Sequence, residues 1–225
     1  MEKKLSDKKL LSLSGSTLFS EIEYKDLKRI YNCLATREKS FERDSFIFHT
    51  GDEVKFVYYI LSGSVHIISE DFWGNRSIIE TMYSETLFGE AYVFSEMENQ
   101  LVSVIAAENS VLLEISPSSL FETCTRNCEC HSRLIRNVLS IVSKKIVLLT
   151  EKTEHIMRRT TREKILSYLS NRAQREKKNA FYIPYSRQQL ADYLCVDRSA
   201  LSHELSKLQA EGVIKYHKNF FELNQ

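Results

Sequence analysis

Apolar residues recur at alternating steps of four and three across residues 131–159: Ile135, Leu139, Val142, Ile146, Leu149, Thr153 and Ile156. Two such steps make a heptad, so these side chains form a narrow a/d stripe along a long helix. Lys144, Lys145, Lys152 and Glu154 flank the stripe. A solvated helix with one apolar face suits a two-stranded dimer, whereas a helix buried inside one globular domain is apolar on more sides. The expectation is a homodimer zipped along this helix, with one module on each side of it. The boundaries read as 1–130, 131–159 and 160–225.

The two flanks differ in charge. Residues 1–157 carry a net −5 and residues 158–225 a net +6, within a total of +1. A basic C-terminal third on a near-neutral chain points to nucleic acid contacted there, the alternative being a solvated basic face without a partner. The opening stretch MEKKLSDKKL has charge with no apolar run behind it, so no secretion signal is expected. Ser140, Ser143, Lys144 and Lys145 break the most apolar part of the long helix, which excludes a membrane span there. Five cysteines without a secretion signal imply reduced thiols in the cytoplasm rather than a disulfide framework.

Along the chain, Leu18, Phe19, Ile22, Tyr24, Leu27, Ile30, Tyr31 and Leu34 predict short covering helices. Residues 42–115 then change to short strands, among them a buried one at 57–61, punctuated by Gly51, Gly63, Gly74 and Gly89. Strands at such intervals suit an antiparallel sandwich or roll. Gly74-Asn75 reads as a hairpin tip, with Trp73 folded back on its own hairpin. Ser116-Pro117 caps and opens a helix, and Thr160 with Glu163 opens another. Residues 171–179 are charged without an apolar stripe and read as a surface loop, followed by a short strand ending at Pro184.

Residues 186–212 carry the sharpest local pattern. Ser186 with Gln189 forms a capping box for a helix whose inner face is Leu190, Ala191 and Leu194. After a break at Cys195-Val196, Asp197 caps a second helix with Leu201, Leu205 and Leu208 inside, stopped at Gly212. That is a helix-turn-helix, whose second helix enters the major groove N-terminus first. Its outward residues are Arg198, Ser199, Ser202 and His203, with Lys207 further along, all donors or acceptors for base edges and phosphates. Residues 213–223 read as a β-hairpin wing that places Lys215, His217 and Lys218 for phosphate contacts.

These motifs, together with Thr50-Gly51-Asp52, residues 59–65 and Phe88-Gly89-Glu90, resemble the CRP/FNR family of bacterial transcription regulators over nearly the whole chain. The resemblance implies an α+β fold: an antiparallel β-roll sensor of the cyclic-nucleotide-binding type, a dimerisation helix and a C-terminal winged helix-turn-helix. It places Arg187 as the phosphate-clamping residue and Arg198, Ser199, Ser202 and His203 as base readers. Ser199 and His203 depart from the family's frequent Glu and Arg, Cys195 from a turn glycine, and Glu204 from an apolar core residue. Two recognition helices then face a near-palindromic duplex site, with RNA polymerase as a further candidate partner.

Family members that bind cyclic nucleotides follow Gly-Glu with Arg-Ser about ten residues on. Here Gly89-Glu90 is followed by Gln100-Leu101, and Val147-Leu148 stand where the long helix meets the purine. Losing two charge-assisted hydrogen bonds, at about 1.5–3 kcal/mol each, weakens binding by about 10²–10⁴-fold. No response to cyclic AMP is expected, and no cofactor is implied. Two other sensing readings stay open. One is an apolar or weakly polar effector near Gly89, Glu90, Gln100, Leu101, Val147 and Leu148. The other is thiol or metal chemistry at Cys124, Cys128, Cys130 and His131, whose spacing matches no standard metal motif. A ligand-binding module without DNA function is a second class of reading, which the winged reader opposes. An enzyme is a third, for which no metalloenzyme signature, phosphate-cradling loop or nucleophile elbow appears.

Overall fold

The computed structural model describes residues 13–34, 36–70, 72–73, 76–95, 100–121 and 129–224. The chain divides into two compact units, residues 1–142 and 143–225.

The first unit holds helix α1 (Tyr24–Cys33), strands β1 (Arg37–Phe41), β2 (Phe46–Phe48), β3 (Val57–Ser62), β4 (Ser64–Glu70), β5 (Arg76–Tyr83) and β6 (Leu87–Phe88), then α2 (Glu90–Phe94), β7 (Ser103–Ala106), β8 (Ser110–Ile115) and α3 (Pro117–Phe121). The long helix α4 (Glu129–Ile156) begins here and continues into the second unit. Two four-stranded antiparallel sheets form the roll, in the orders β1-β8-β3-β6 and β2-β7-β4-β5.

The apolar run in β3 has a simple cause. Side chains alternate across a strand, and both faces of this sheet are covered. Val57 and Tyr59 join a core shared with Leu18, Phe19, Leu27, Ile30, Leu134 and Val138, while Tyr58 and Ile60 join the core between the sheets with Phe48, Val65, Val104 and Leu112. Leu87 and Phe88 on β6, and Leu113 and Leu112 on β8, divide in the same way. The sheet is a middle layer, with the N-terminal helices and α4 on one side and the second sheet on the other. Gly63 turns β3 into β4 at φ +86°, and a Cβ there would lie 2.3 Å from Ser110 Oγ.

The first half of α4 is tied to this unit by more than packing. Asn137 Nδ2 donates to the carbonyls of Leu18 and Ser20, at 3.0 and 2.8 Å, and Arg133 pairs with Glu21 at 2.6 Å. Ile141 and Val142 pack against the same core. Val142, expected on the partner-facing stripe, is therefore half-covered by its own chain. Leu139, Ile146 and Leu149 are 56%, 59% and 60% exposed, an apolar face that the single chain leaves open.

The second unit contains the rest of α4, then α5 (Thr161–Glu176), β9 (Ala180–Tyr182), α6 (Arg187–Tyr193), α7 (Arg198–Ala210), β10 (Ile214–His217) and β11 (Phe220–Leu223). Its sheet runs β10-β11-β9, all antiparallel. One core gathers Ile165, Leu169, Phe181, Leu190, Leu201, Leu205, Leu208, Ile214 and Phe221.

Two expectations are corrected. Residues 171–176 are helix, not loop. That turn needs no apolar stripe because charge holds it: Arg172 pairs with Glu176 at 2.6 Å and Arg175 pairs with Glu151 on α4. The helix ends at Lys177, which is left-handed and donates its N–H to Ala173 and Gln174 carbonyls. Trp73 does not fold back. It is 81% exposed and meets Phe72 edge to face at 6.0 Å. Strands β4 and β5 do pair antiparallel around it, from Glu70 opposite Arg76 to Ser64 opposite Tyr83, while the tip itself, Gly74-Asn75, lies outside the described residues. No described helix is long and apolar enough to cross a membrane.

His155 closes the inner end of α4. It is 2% exposed, its Nδ1 lies 2.8 Å from Ser167 Oγ, and its ring meets Tyr168 edge to face at 5.8 Å. Burial pushes its pKa below the ordinary 6.5; Glu154 and Glu151 oppose the shift, and Arg158 and Arg175 reinforce it. The unfolded chain therefore takes up a proton that the folded unit resists. Stability from this group is complete above about pH 6.5 and falls as pH drops toward the lowered native value. The melting midpoint of this unit should decline as the pH drops below about 6.5, and His155→Gln should flatten that decline.

Candidate nucleic-acid interface

The helix-turn-helix is built by its caps. Ser186 accepts from Gln189 N, and the Gln189 side chain returns to Ser186 N at 2.8 Å, a complete capping box. Asp197 accepts from the amides of Ser199 and Ala200, at 2.7 and 3.3 Å, and also from the Ser199 hydroxyl. These bonds hold its carboxyl below the usual range. Between the helices, Cys195 adopts φ +52°, the left-handed conformation that favours glycine, at a cost of about 1–2 kcal/mol. The turn is held by Val196 N bonding to Ala191 O at 3.0 Å and by Lys164 Nζ reaching the Leu194 carbonyl at 3.2 Å. Ala191 is fully buried, and its small side chain permits the close crossing.

On α7 the two faces separate cleanly. Leu201, Leu205 and Leu208 are 0% exposed, while Arg198, Ser199, His203 and Lys207 are exposed and Ser202 is half-buried. Glu204 points inward, where the family pattern favours an apolar residue. Arg162 on α5 accounts for it: the guanidinium bonds Glu204 at 3.2 Å and also pairs with Glu211 just past the helix. The recognition helix is thus anchored to α5 by a charge bridge as well as by leucines.

The wing lies beside it. Lys215 and Lys218 are exposed, and Lys215 pairs with Glu222 at 3.4 Å. Arg187 is not free at the surface. Its guanidinium sits over the Tyr216 and Phe221 rings and donates to the Lys218 carbonyl. Tyr216, Phe221, Arg162 and Lys164 were not singled out from sequence; each acts on a partner far along the chain in this unit, and no local spacing signals that.

The candidate effector residues divide between the two units. Gly89 takes φ +83°, and a Cβ there would meet Phe56 O at 3.1 Å, so this glycine serves the backbone. Glu90 and Gln100 are buried. Gln100 Nε2 donates to His49 O at 2.6 Å and the Gln100 main-chain carbonyl accepts from Gly51 N, which pins the turn at Thr50-Gly51-Asp52. Leu101, Val147 and Leu148 face solvent, at 72%, 52% and 54% exposure. Cys124 and Cys128 lie outside the described residues. Cys130 is half-buried, and His131 is buried with Nε2 3.0 Å from the Leu120 carbonyl. Among the described residues, no group of three or more His, Cys, Asp or Glu is arranged to hold a metal.

Comparison with known proteins adds the family. A cyclic nucleotide-binding domain model matches residues 38–127, and a Crp-like helix-turn-helix domain model matches residues 163–224. The CRP-like protein Clp of Xanthomonas euvesicatoria pv. vesicatoria is 25% identical over 173 residues, 75% of each chain. The structure of the c-di-GMP responsive global regulator CLP of Xanthomonas campestris aligns with a TM-score of 0.55 at 22% identity, covering 88% of this chain and 97% of that one. CprK complexed with OCPA aligns with a TM-score of 0.64 at 16% identity, covering 89% and 92%. At these identities the structural likeness is one of fold. A nucleotide-binding-type roll, a long helix and a Crp-like reader follow one another in a single chain, and on that evidence the protein belongs to the CRP/FNR family of transcription regulators.

Proposed function

We propose that the protein is a homodimeric, sequence-specific DNA-binding regulator that reads a near-palindromic site and does not respond to cyclic AMP. The observation that carries the reading is the two-faced α7, with three leucines fully buried and Arg198, Ser199 and His203 presented outward from its N-terminal half. In the proposed division, residues 1–130 sense, 131–159 dimerise and 160–225 read DNA. The open face at Leu139, Ile146 and Leu149 supports pairing with a second copy. Dimeric readers of this kind place their recognition helices one DNA turn apart, roughly 34–36 Å. RNA polymerase is the further partner in this reading.

Cyclic AMP is disfavoured because the position that should meet its phosphate carries an uncharged Gln100, whose Nε2 donates to the His49 carbonyl, and the next residue, Leu101, faces solvent. Neither offers a cation or a hydroxyl to the phosphate.

Selection of the full-length protein on a random duplex pool tests the reading. The expected product is an inverted repeat, with Ser202→Ala and His203→Ala each changing preference at symmetric positions by about 1–3 kcal/mol. Recovery of no enriched sequence overturns it. Micromolar cyclic AMP binding with a matching gain in DNA affinity would overturn the second half.

A further inference from the structure

We propose that Arg187 is a brace that sets the wing turn, and that Lys218 at the tip of that turn is the phosphate contact it serves. This inference rests on the DNA reading proposed above. Arg187 opens α6, yet its guanidinium turns onto the wing. It lies 5.0 Å from the centre of the Tyr216 ring and 5.7 Å from that of Phe221, and Nη2 donates to the Lys218 carbonyl at 3.1 Å. The two rings stack on each other at 5.8 Å, so the platform under the guanidinium is itself fixed. Desolvation in this position pushes the guanidinium's pKa down from the ordinary arginine value. A group that gives up water to sit on two rings and a carbonyl is committed to the fold, whereas a phosphate clamp stands ready in solvent.

What this commitment secures is the turn between β10 and β11. Lys218 has φ +53°, the left-handed region where glycine is at ease and a lysine is strained. The surroundings hold it there. Arg187 takes the Lys218 carbonyl, Ile183 N donates to the Asn219 carbonyl at 2.9 Å, and Asn219 Nδ2 donates to the Ile183 carbonyl at 3.3 Å. Strain of this kind persists where neighbouring structure over-determines it, and it clusters at working positions. Lysine at a place that suits glycine is explained by the use of its ammonium. The side chain is exposed at the tip, and the neighbouring wing cation, Lys215, is already paired with Glu222. The guanidinium fork and its planar stacking do what a flexible ammonium cannot, which explains why the brace is an arginine.

The test uses the full-length chain on the duplex that the wild type selects, with affinity measured across a salt series. Lys218→Ala should weaken binding about 5–10-fold and lower the salt slope by about 1. Arg187→Ala should lose at least as much. The double variant should bind within about twofold of Arg187→Ala, because the contact served by the brace is already lost. Losses that multiply, with the slope falling by about 2, overturn the brace and restore Arg187 as a direct phosphate contact. Arg187→Lys guards against a misfolded alanine variant. A direct clamp keeps its point charge in that variant, so binding within about twofold of wild type overturns the proposal, while a loss matching Lys218→Ala with unchanged melting supports it. A wild type that selects no duplex overturns the DNA reading and the brace together. Binding by the wild type with multiplying losses overturns the brace alone.

Discussion

Replacing Ile146 and Leu149 together with aspartate should convert the protein from dimer to monomer and weaken binding to its full palindrome by about 10²–10⁴-fold, with half-site binding unchanged. Both side chains are more than half exposed in the single chain, as is Leu139 one heptad earlier. An a/d seam draws its strength from burying such residues against a second copy. Two aspartates there put four like charges into the interface of the pair, where desolvation and repulsion both oppose association. The substitutions touch neither the roll core, which α4 enters through Leu134 and Val138, nor the reader core. The folded units should therefore persist. What is lost is the linkage that makes the second half-site an intramolecular event. Sedimentation equilibrium and titration of full and half sites measure the two parts separately. A doubly substituted chain that still sediments as a dimer removes the seam from the proposal.

The reader was legible in the sequence because its signals are local. Ser186 with Gln189, and Asp197 with the two amides after it, are cap relations spanning three residues or fewer. The leucines of α7 repeat within one helix. The central strand of the roll was legible for a related reason: a run apolar at every position, 57–60, needs cover on both faces, and β3 has it. What escaped was held by long-range charge. The last turns of α5 looked like loop because their support includes Glu151, 24 residues before Arg175. Glu204 looked like a defect in a core position until Arg162, 42 residues earlier, came beside it. Arg187 looked like a phosphate clamp, and its hold on the wing was hidden because its partner carbonyl lies 31 residues on. The residues expected to meet an effector were the least legible. A residue type such as Gln100 can argue against a ligand that needs charge, but it does not say which apolar side chains turn inward, and Leu101, Val147 and Leu148 turn outward.

Leu205→Ala should cost the reader about 2–5 kcal/mol and lower its melting midpoint by roughly 10–25 °C, while leaving the melting of the roll in place. Leu205 is fully buried where α7 crosses the rest of the reader, in a core with Ile165, Leu190, Leu201 and Phe221. Truncation removes the apolar transfer energy and leaves a void that close-packed neighbours fill only in part. The penalty stays local because the chain has separate cores. None of the buried residues around Leu205 belongs to the two clusters of the first unit. Calorimetry should show one transition displaced and the other fixed. DNA affinity should fall as the reader's folded fraction falls, with recovery on cooling. A single transition displaced as a whole would mean that roll and reader fold as one cooperative body, and an effector bound to the roll would then stabilise the DNA reader directly. Two independent transitions would instead confine any effector's influence to the long helix α4 that joins them.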